Sequence, residues 1–431
     1  MRKRLVAVVA ATSLLAACSG SAEDGSSTGT DGTDGAVAGS ITVLTNRTDL
    51  VDTALPEYAA AFNETYPDVE VTFEAITDYE GEVKTRMNTK DYGDVLLIPN
   101  TIAQGDLPDF FEPLGTVADL ATTYRFVASE QAFDGQSYGL AITGNAQGIV
   151  YNKAVWAAAG VTEAPTSPEE FRAALQAVAD KTDAVPLYTN YKDGWPLSWP
   201  QNIMGAFTGD TEALVKMSES DAPWTKGEEK YTADSLLFDI AAAGLIEDDP
   251  TTTNWENSKN LIATGKIATM VLGSWALPQM QEAATTAGND PADIGFMPVP
   301  VQVDGAYHSP VGGDYKMGIN INSEHKAAAR AWLDWFIADS GFYEVAGALP
   351  TVASQPAPAS LKEFEATGVK YVEMTPAPIS TVIDNAAEIG ITQPDYYRLL
   401  VDSARGASSE TKDQIFAGLN TKWADARAQV G

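Results

Sequence analysis

The chain predicts an α/β fold of more than one domain. Strand-like and helix-like patterns alternate through residues 40–98, the order that builds a largely parallel sheet flanked by helices. Caps and turn signals stand at the boundaries of those patterns. At 431 residues the chain is long enough for two domains.

Order is expected from Ser40 onward. Ile41-Thr42-Val43-Leu44 reads as a strand, being apolar and β-branched. Pro56 suits the first turn of a helix in which Leu55, Tyr58, Phe62 and Tyr66 recur at helical spacing. Val69, Val71 and Phe73 then alternate with polar residues, the period of a half-buried strand. Val83 and Met87 lie four apart on a second, shorter helix. Val95-Leu96-Leu97-Ile98 is continuously apolar, as a strand covered on both faces is. Phe133-Asp134-Gly135-Gln136-Ser137-Tyr138 centres on Asp-Gly, a hairpin signal. Ser167-Pro168-Glu169-Glu170 combines an N-cap, a first-turn proline and a capping-box glutamate. Phe171, Leu175 and Val178 form the buried stripe of that helix. Residues 267–272 make another apolar strand, closed by Gly273-Ser274-Trp275. Helix patterns return over 327–336, with Trp332, Trp335 and Phe336 on one side, and over 412–423, with Ile415, Leu419 and Trp423. Trp332, Trp335 and Trp423 are therefore expected in the core.

Composition excludes several function classes. Cys18 is the only cysteine, so disulfides and thiolate metal sites are ruled out for the rest of the chain. The formal net charge is -32, from 59 acidic and 27 basic residues. A surface that acidic repels nucleic acid and anionic headgroups, and it reads as a solubility device. Only His308 and His325 are present, which speaks against a zinc centre or a histidine-based nucleophile relay. No metal and no cofactor is expected.

The N-terminus carries Arg2-Lys3-Arg4, an apolar run over 5–17, and Leu15-Ala16-Ala17-Cys18. The run is shorter than the ~20 residues that cross a bilayer, and it has the charged and small-residue flanks of a secretory leader. Its end resembles a bacterial lipobox. That resemblance implies a signal peptide over 1–17 and lipidation of Cys18 as the new N-terminus. The mature protein would then be anchored to the outer face of the bacterial cell membrane by its lipid. Residues 19–39 are mostly Ser, Gly, Thr, Ala and Asp, so 18–39 reads as lipidated cysteine plus flexible tether, with a reach of roughly 25 Å.

Several segments together carry a wider resemblance. Tyr138-Gly139-Leu140-Ala141 is followed by Ile149-Val150-Tyr151-Asn152-Lys153 and Ala159-Gly160. The helix start at Pro165-Thr166-Ser167-Pro168-Glu169-Glu170-Phe171 comes next. Gly265-Lys266-Ile267-Ala268-Thr269-Met270 leads to Gly273-Ser274-Trp275, and Gly312-Gly313-Asp314 leads to Gly318-Ile319-Asn320 and Leu349-Pro350-Thr351. In order and spacing these resemble the extracellular solute-binding proteins of ABC importers, in the sugar-binding family that includes maltose-binding protein. The resemblance implies a two-lobed periplasmic-binding-protein-like fold (type II, Venus-flytrap) with hinge crossings. Lobe one would be 40–143 plus 312–351, and lobe two 147–310 plus 352–431. It further implies a monomer that closes on a mono- or oligosaccharide ligand and delivers it to the transmembrane subunits of an ABC permease.

In open α/β sheets, ligands sit beyond the carboxyl ends of strands, so the loops there supply candidates. After the first strand come Asn46, Arg47 and Thr48; after Val95-Leu96-Leu97-Ile98 comes Asn100; and Asn145 lies at the first crossing. An amide both donates and accepts, which suits a hydroxyl, though Asn also serves turns. Asp314 follows two glycines where the chain re-enters lobe one by the resemblance, and a carboxylate accepts strong hydrogen bonds. Tyr315 adds a ring. Arg47 suits a ligand carboxylate, a bridge to Asp314, or solvent. Tyr188 to Trp199 is crowded with aromatics, and Pro196 and Pro200 argue against a regular helix. Trp195, Trp199 and Trp275 are the candidates to stack on a sugar face, with core packing the competing role for the first two.

Two rival classes are set against this reading. A secreted glycoside hydrolase needs a pair of carboxylates astride the bond, and nothing in the chain singles one out, so no enzyme activity is expected. The same fold binding a non-sugar solute, a polyamine or a peptide, is the other.

Overall fold

The computed structural model describes residues 37–48 and 50–430. The leader over 1–17, lipidation at Cys18 and nearly all of the 18–39 tether lie outside the described residues.

Strand β1 (Gly39–Thr45) feeds helix α1 (Ala54–Thr65), which buries Leu55 and Phe62. Strand β2 (Val69–Ala75), helix α2 (Tyr79–Arg86) and the fully buried strand β3 (Val95–Leu97) follow. Both β2 and β3 pair with β1 in parallel, as the alternation requires. The expected hairpin forms, Ala132–Phe133 pairing with Gln136–Ser137. Strand β4 (Gly139–Ala141) then precedes β5 (Gly144–Asn152), the longest strand, which belongs to a different sheet. Helix α3 (Pro168–Lys181) is capped by the Ser167 hydroxyl, which accepts the Glu170 N–H at 3.2 Å. The Glu170 carboxylate reaches one residue further back than a capping box does, to the Thr166 N–H at 2.7 Å.

The second half adds helices α4 (Glu229–Ala242) and α5 (Trp255–Ala263), strand β6 (Thr269–Gly273) and helix α6 (Ala276–Thr286). Strands β7 (Ile294–Met297), β8 (Ala306–Gly313) and β9 (Lys316–Ile319) come next, then helix α7 (Lys326–Ala338). Strand β10 (Lys370–Glu373) and helices α8 (Pro394–Ala404) and α9 (Lys412–Val430) complete the chain.

Two main sheets result. The first runs β2-β1-β3-β9-β4. Its strands from the N-terminal region are parallel, but β9 is antiparallel to both β3 and β4, so the sheet is mixed rather than largely parallel. The physical reason is connectivity: β9 follows directly on β8 of the other sheet, without the helical crossover that lets successive strands of one sheet run parallel. In the second sheet β5 pairs antiparallel with β6, β7 and β8, and β8 pairs in parallel with β10.

Each sheet has its own core. Trp332 and Phe336 of α7 pack with Phe62, Val43 and Leu140 under the first. Trp423, Trp224, Leu175 and Tyr397 are buried in the second. There α8 is tied to α4 by a buried polar knot. Lys230 Nζ donates to Asp234 at 3.0 Å, the Trp224 indole N–H donates to Asp234 at 2.8 Å, and the Tyr396 hydroxyl donates to the same carboxylate. A buried charge pair survives when hydrogen bonds complete it in this way.

The chain passes between the sheets at 142–143, at 314–315 and again near 349–352. The three passages are laced together. Asp314 N–H donates to Thr143 C=O at 2.8 Å, Gly144 and Leu349 exchange backbone bonds at 2.7 Å, and Thr351 Oγ1 donates to Ala141 C=O. Phe126 is wedged against them at φ +63°. A Cβ at Gly144 would stand 2.3 Å from its ring, so only glycine allows the strand to pass there. The Phe126 N–H donates to Glu373 of β10 at 3.0 Å, and Arg125 holds the Pro350 and Ala353 carbonyls.

Candidate functional site

Between the sheets, where β1, β4 and β6 end and β5 and β9 begin, lies a cleft of about 810 Å³. Asn46, Arg47, Asn145, Trp275, Asp314 and Tyr315 all line it. Six of the ten candidates from sequence thus share one concave surface.

The inner end is polar and tied to the crossings. The Asp314 carboxylate accepts the Tyr315 N–H at 2.8 Å on Oδ1 and the Asn145 amide at 3.4 Å on Oδ2. Asn145 Oδ1 is shielded from water and has no partner. A covered acceptor without a donor is costly, and a ligand hydroxyl is the kind of group that relieves it. The Tyr315 phenol is pushed up by burial and further by the Glu80 carboxylate.

The opposite wall is built by α5 and α6. Trp275 stands between the end of β6 and α6, and its indole folds back over Gly273. A Cβ at Gly273 would be 2.7 Å from Trp275 Cδ1, so glycine at the strand end sets the ring's orientation. Trp195 and Trp255 lie off the cleft lining but complete a three-indole corner with Trp275: ring centroids are 4.9 Å apart for Trp195–Trp255, 5.7 Å for Trp195–Trp275 and 5.6 Å for Trp255–Trp275. The rings are tilted or edge-on to one another, so they form a corner and not a flat platform. Trp195 is 43% exposed. Lys259 caps the Trp255 face with its Nζ 5.3 Å from the centroid and pairs with Glu256 at 2.9 Å. Glu256, Lys259, Gln279 and Glu282 face the cleft, and Phe342, Val345 and Ala346 form an apolar stretch on the first-sheet side.

The remaining candidates are placed elsewhere. Trp199 is only 4% exposed and packs in the second-sheet core, so it has no face to offer a ligand. The physical cause is the proline pair. Pro196 opens a 3-10 turn over Trp195–Ser198 and Pro200 opens a helical turn over Trp199–Asn202, and the two tryptophans join different clusters, Trp195 against Trp255 and Trp275 and Trp199 in the second-sheet core. Thr48 is exposed on the turn after β1 and apart from the cleft lining. Asn100 also lies off the lining, where its backbone N–H and its Nδ2 donate to Glu80 Oε1 at 3.3 and 3.0 Å.

Sequence reasoning missed Glu80, Trp255 and Lys259. Trp255 follows Asn254, whose side chain caps α5 by accepting the Asn257 N–H at 2.8 Å. That cap, and the four-residue spacing of Trp255 and Lys259 on one helix face, were the available signals. No pattern marks Glu80.

Known proteins match this arrangement. The pattern of the bacterial extracellular solute-binding protein family matches residues 48–341. The diacetylchitobiose binding protein DasA of Streptomyces coelicolor is 24% identical over 371 residues, 81% of this chain and 82% of its own. The BlMnBP1 binding protein of an ABC transporter from Bifidobacterium animalis subsp. lactis, solved with mannobiose, is 34% identical. It superposes with a TM-score of 0.79 over 91% of this chain and 95% of its own. The manno-oligosaccharide specific BlMnBP2 of the same organism, solved with mannotriose, is 33% identical at the same TM-score and coverage. These neighbours share the two-lobed α/β solute-binding fold, and the cleft described here lies between the two sheets. The chain belongs to the bacterial extracellular solute-binding proteins.

Proposed function

We propose that this protein binds a neutral manno-oligosaccharide of two or three units in the cleft between its sheets, as the ligand-binding component of an ABC importer. Lobe one is built on the first sheet and contributes Asn46, Arg47, Asp314 and Tyr315 with Asn145 at the crossing; lobe two contributes Trp275 and Trp195. Hinge bending at the three crossings closes the lobes, and the closed form hands the sugar to the permease. Cys18 carries the lipid that keeps the protein at the outer face of the membrane. The protein acts as a monomer and transforms nothing.

The observation that carries this reading is the covered, unpartnered Asn145 Oδ1 beside the Asp314 carboxylate in a cleft that also presents an indole. Hydroxyls satisfy the first two groups and a pyranose C–H face packs on the third. Glu256, Glu282 and Asp314 outnumber Arg47 and Lys259 along the lining, which favours a neutral sugar over an acidic one. The mannobiose and mannotriose bound by the two relatives above 30% identity point to the manno series.

A thermal-shift screen tests it. A ligand that binds only the folded state raises the melting temperature by mass action. Mannobiose and mannotriose are expected to raise it and to saturate by calorimetry without turnover. A shift with chitobiose, a polyamine or a peptide alone would replace the ligand, and hydrolysis of aryl mannosides would replace the function.

A further inference from the structure

A second, smaller space adjoins the cleft. It is a cavity of about 30 Å³ in the first-sheet region, lined by Leu55, Phe73, Met317, Trp332 and Phe336 together with the end of β1. Asn46, Arg47, Ile142 and Phe342 line both the cavity and the cleft, so the smaller space lies directly behind the cleft wall. It is partly open rather than sealed. Trp332 of α7 is fully buried, and its indole N–H is shielded from water with no partner among the described residues. Phe336 stacks on that indole with centroids 5.5 Å apart, and Phe73 meets it edge-on at 5.5 Å. A covered donor without an acceptor is costly, and this one belongs to a residue that borders a space large enough to admit an acceptor.

Size and polarity narrow the occupant. One water needs about 10–15 Å³, so the cavity has room for a group of roughly two or three heavy atoms. A buried water makes about three hydrogen bonds, and the lining is poor in partners for it. Thr45 Oγ1 already accepts the Arg47 N–H at 3.1 Å, and away from Asn46 and Arg47 the walls are hydrocarbon and ring. A lone methyl, as on a deoxy sugar, suits those walls but leaves the indole N–H without an acceptor. An acetyl group supplies both parts, a methyl for the rings and a carbonyl oxygen for the N–H. It is also uncharged, so it leaves water without the penalty of a buried ion. We propose that this cavity is a subsite for an acetyl group carried by the sugar, with the Trp332 indole N–H donating to the acetyl carbonyl, so that the cleft prefers acetylated oligosaccharides to their unsubstituted counterparts. This rests on the cleft being the sugar site. The acetyl group is either an ester on a sugar oxygen or an amide on a sugar nitrogen, and the test has an arm for each.

Calorimetry compares mannobiose, a set of mannobioses each carrying one O-acetyl group, and diacetylchitobiose. At least one acetylated mannobiose is expected to bind about tenfold more tightly than mannobiose, the combined worth of a buried methyl and a hydrogen bond. Trp332→Phe, which removes the N–H and keeps a ring, is expected to bring that ratio down to about threefold or less. A ratio that survives Trp332→Phe undiminished overturns the proposal, as does equal affinity for acetylated and unacetylated ligands. A second readout needs no variant. The indole N–H signal of Trp332, assigned through bonds in the labelled wild-type protein, is followed by NMR. It is expected to move downfield with the favoured acetylated ligand and to stay nearly in place with mannobiose. A signal that no acetylated ligand moves, or one that shows contact with bound water in the liganded protein, overturns the proposal. If no mannobiose binds while diacetylchitobiose binds and moves the signal, the manno assignment falls and the acetyl subsite stands.

Discussion

The two walls of the cleft are built on different principles. On the first-sheet side, polar groups sit at strand ends and crossings, and they are hydrogen-bonded to one another and to the chain, Asp314 accepting from the Asn145 amide and from its neighbour's N–H. On the second-sheet side Trp275, at a strand end, lines the cleft, and Trp195 from a 3-10 turn and Trp255 from a helix start meet it ring against ring off the lining. A hydrogen-bonded wall is directional and preset, which under the proposed function suits it to hydroxyl positions. A wall of rings supplies contact area and accepts small shifts of the ligand.

The sharpest break in that comparison lies within the second lobe, between a buried and a cleft-facing tryptophan. Trp199→Ala is expected to cost about 3–5 kcal/mol of stability, as for other buried aromatics, while the folded fraction keeps its affinity; chemical denaturation and calorimetry on the same samples check it. Trp275→Ala is expected to do the reverse, weakening sugar binding by roughly 30–100-fold, about 2–3 kcal/mol, with a smaller change in unliganded melting. If melting falls and affinity does not, Trp275 is a core residue.

A gentler variant sharpens the same point. Gly273→Ala places a methyl against the Trp275 ring and should cost about tenfold in affinity by turning the indole rather than removing it. An unchanged affinity would mean that the ring's orientation does not matter, and the second wall would then be area alone. On the polar wall, Asn145→Ala removes the stranded acceptor, so its loss in affinity, about fivefold to tenfold, should come with no loss of unliganded stability.

The smallest expected effect is on pH. Burial raises the carboxyls of Glu229, Glu247 and Asp384. Between the ordinary carboxyl range and those raised values the native state holds protons the unfolded chain has released, so stability falls as pH rises through that window. Melting temperature is therefore expected to climb as pH drops from 7 toward about 5. Below about 4 the trend reverses, because Glu74 and Asp210 are held down by hydrogen bonds from Arg86 and Lys216, and protonation breaks those bonds. A melting temperature that falls steadily from pH 7 to 5 would contradict the assignment of buried carboxyls.

Much of this was written in local pattern. Period-two and period-3.6 repeats gave β1, α1, β2, α2 and β3 in order, because a residue's face follows from its spacing alone. Glycine and proline marked the hairpin at Asp134-Gly135 and the cap of α3. Trp332 and Trp423, assigned to the core by helical stripe, are fully buried. Strand ends pointed to Asn46, Arg47 and Trp275, since a loop beyond a strand's carboxyl end is where a sheet meets its ligand, but also to Thr48 and Asn100, which lie off the lining; the crossings implied by the family resemblance pointed to Asn145, Asp314 and Tyr315.

Only the tertiary structure decided the rest. The direction of β9 depends on the chain's arriving from the other sheet, and that is not a local property. Trp195 and Trp199 have the same loop context and indistinguishable local signals, yet one is exposed and the other buried, because Trp199 packs into the second-sheet core while Trp195 meets only the rings of Trp255 and Trp275. Trp255 meets Trp195 and Trp275 across 60 and 20 residues of chain, and Asn145 meets Asp314 across 169. Sequence spacing determines which face a side chain occupies; what that face meets is settled by packing between elements, where burial and hydrogen-bond satisfaction are summed over distant parts of the molecule.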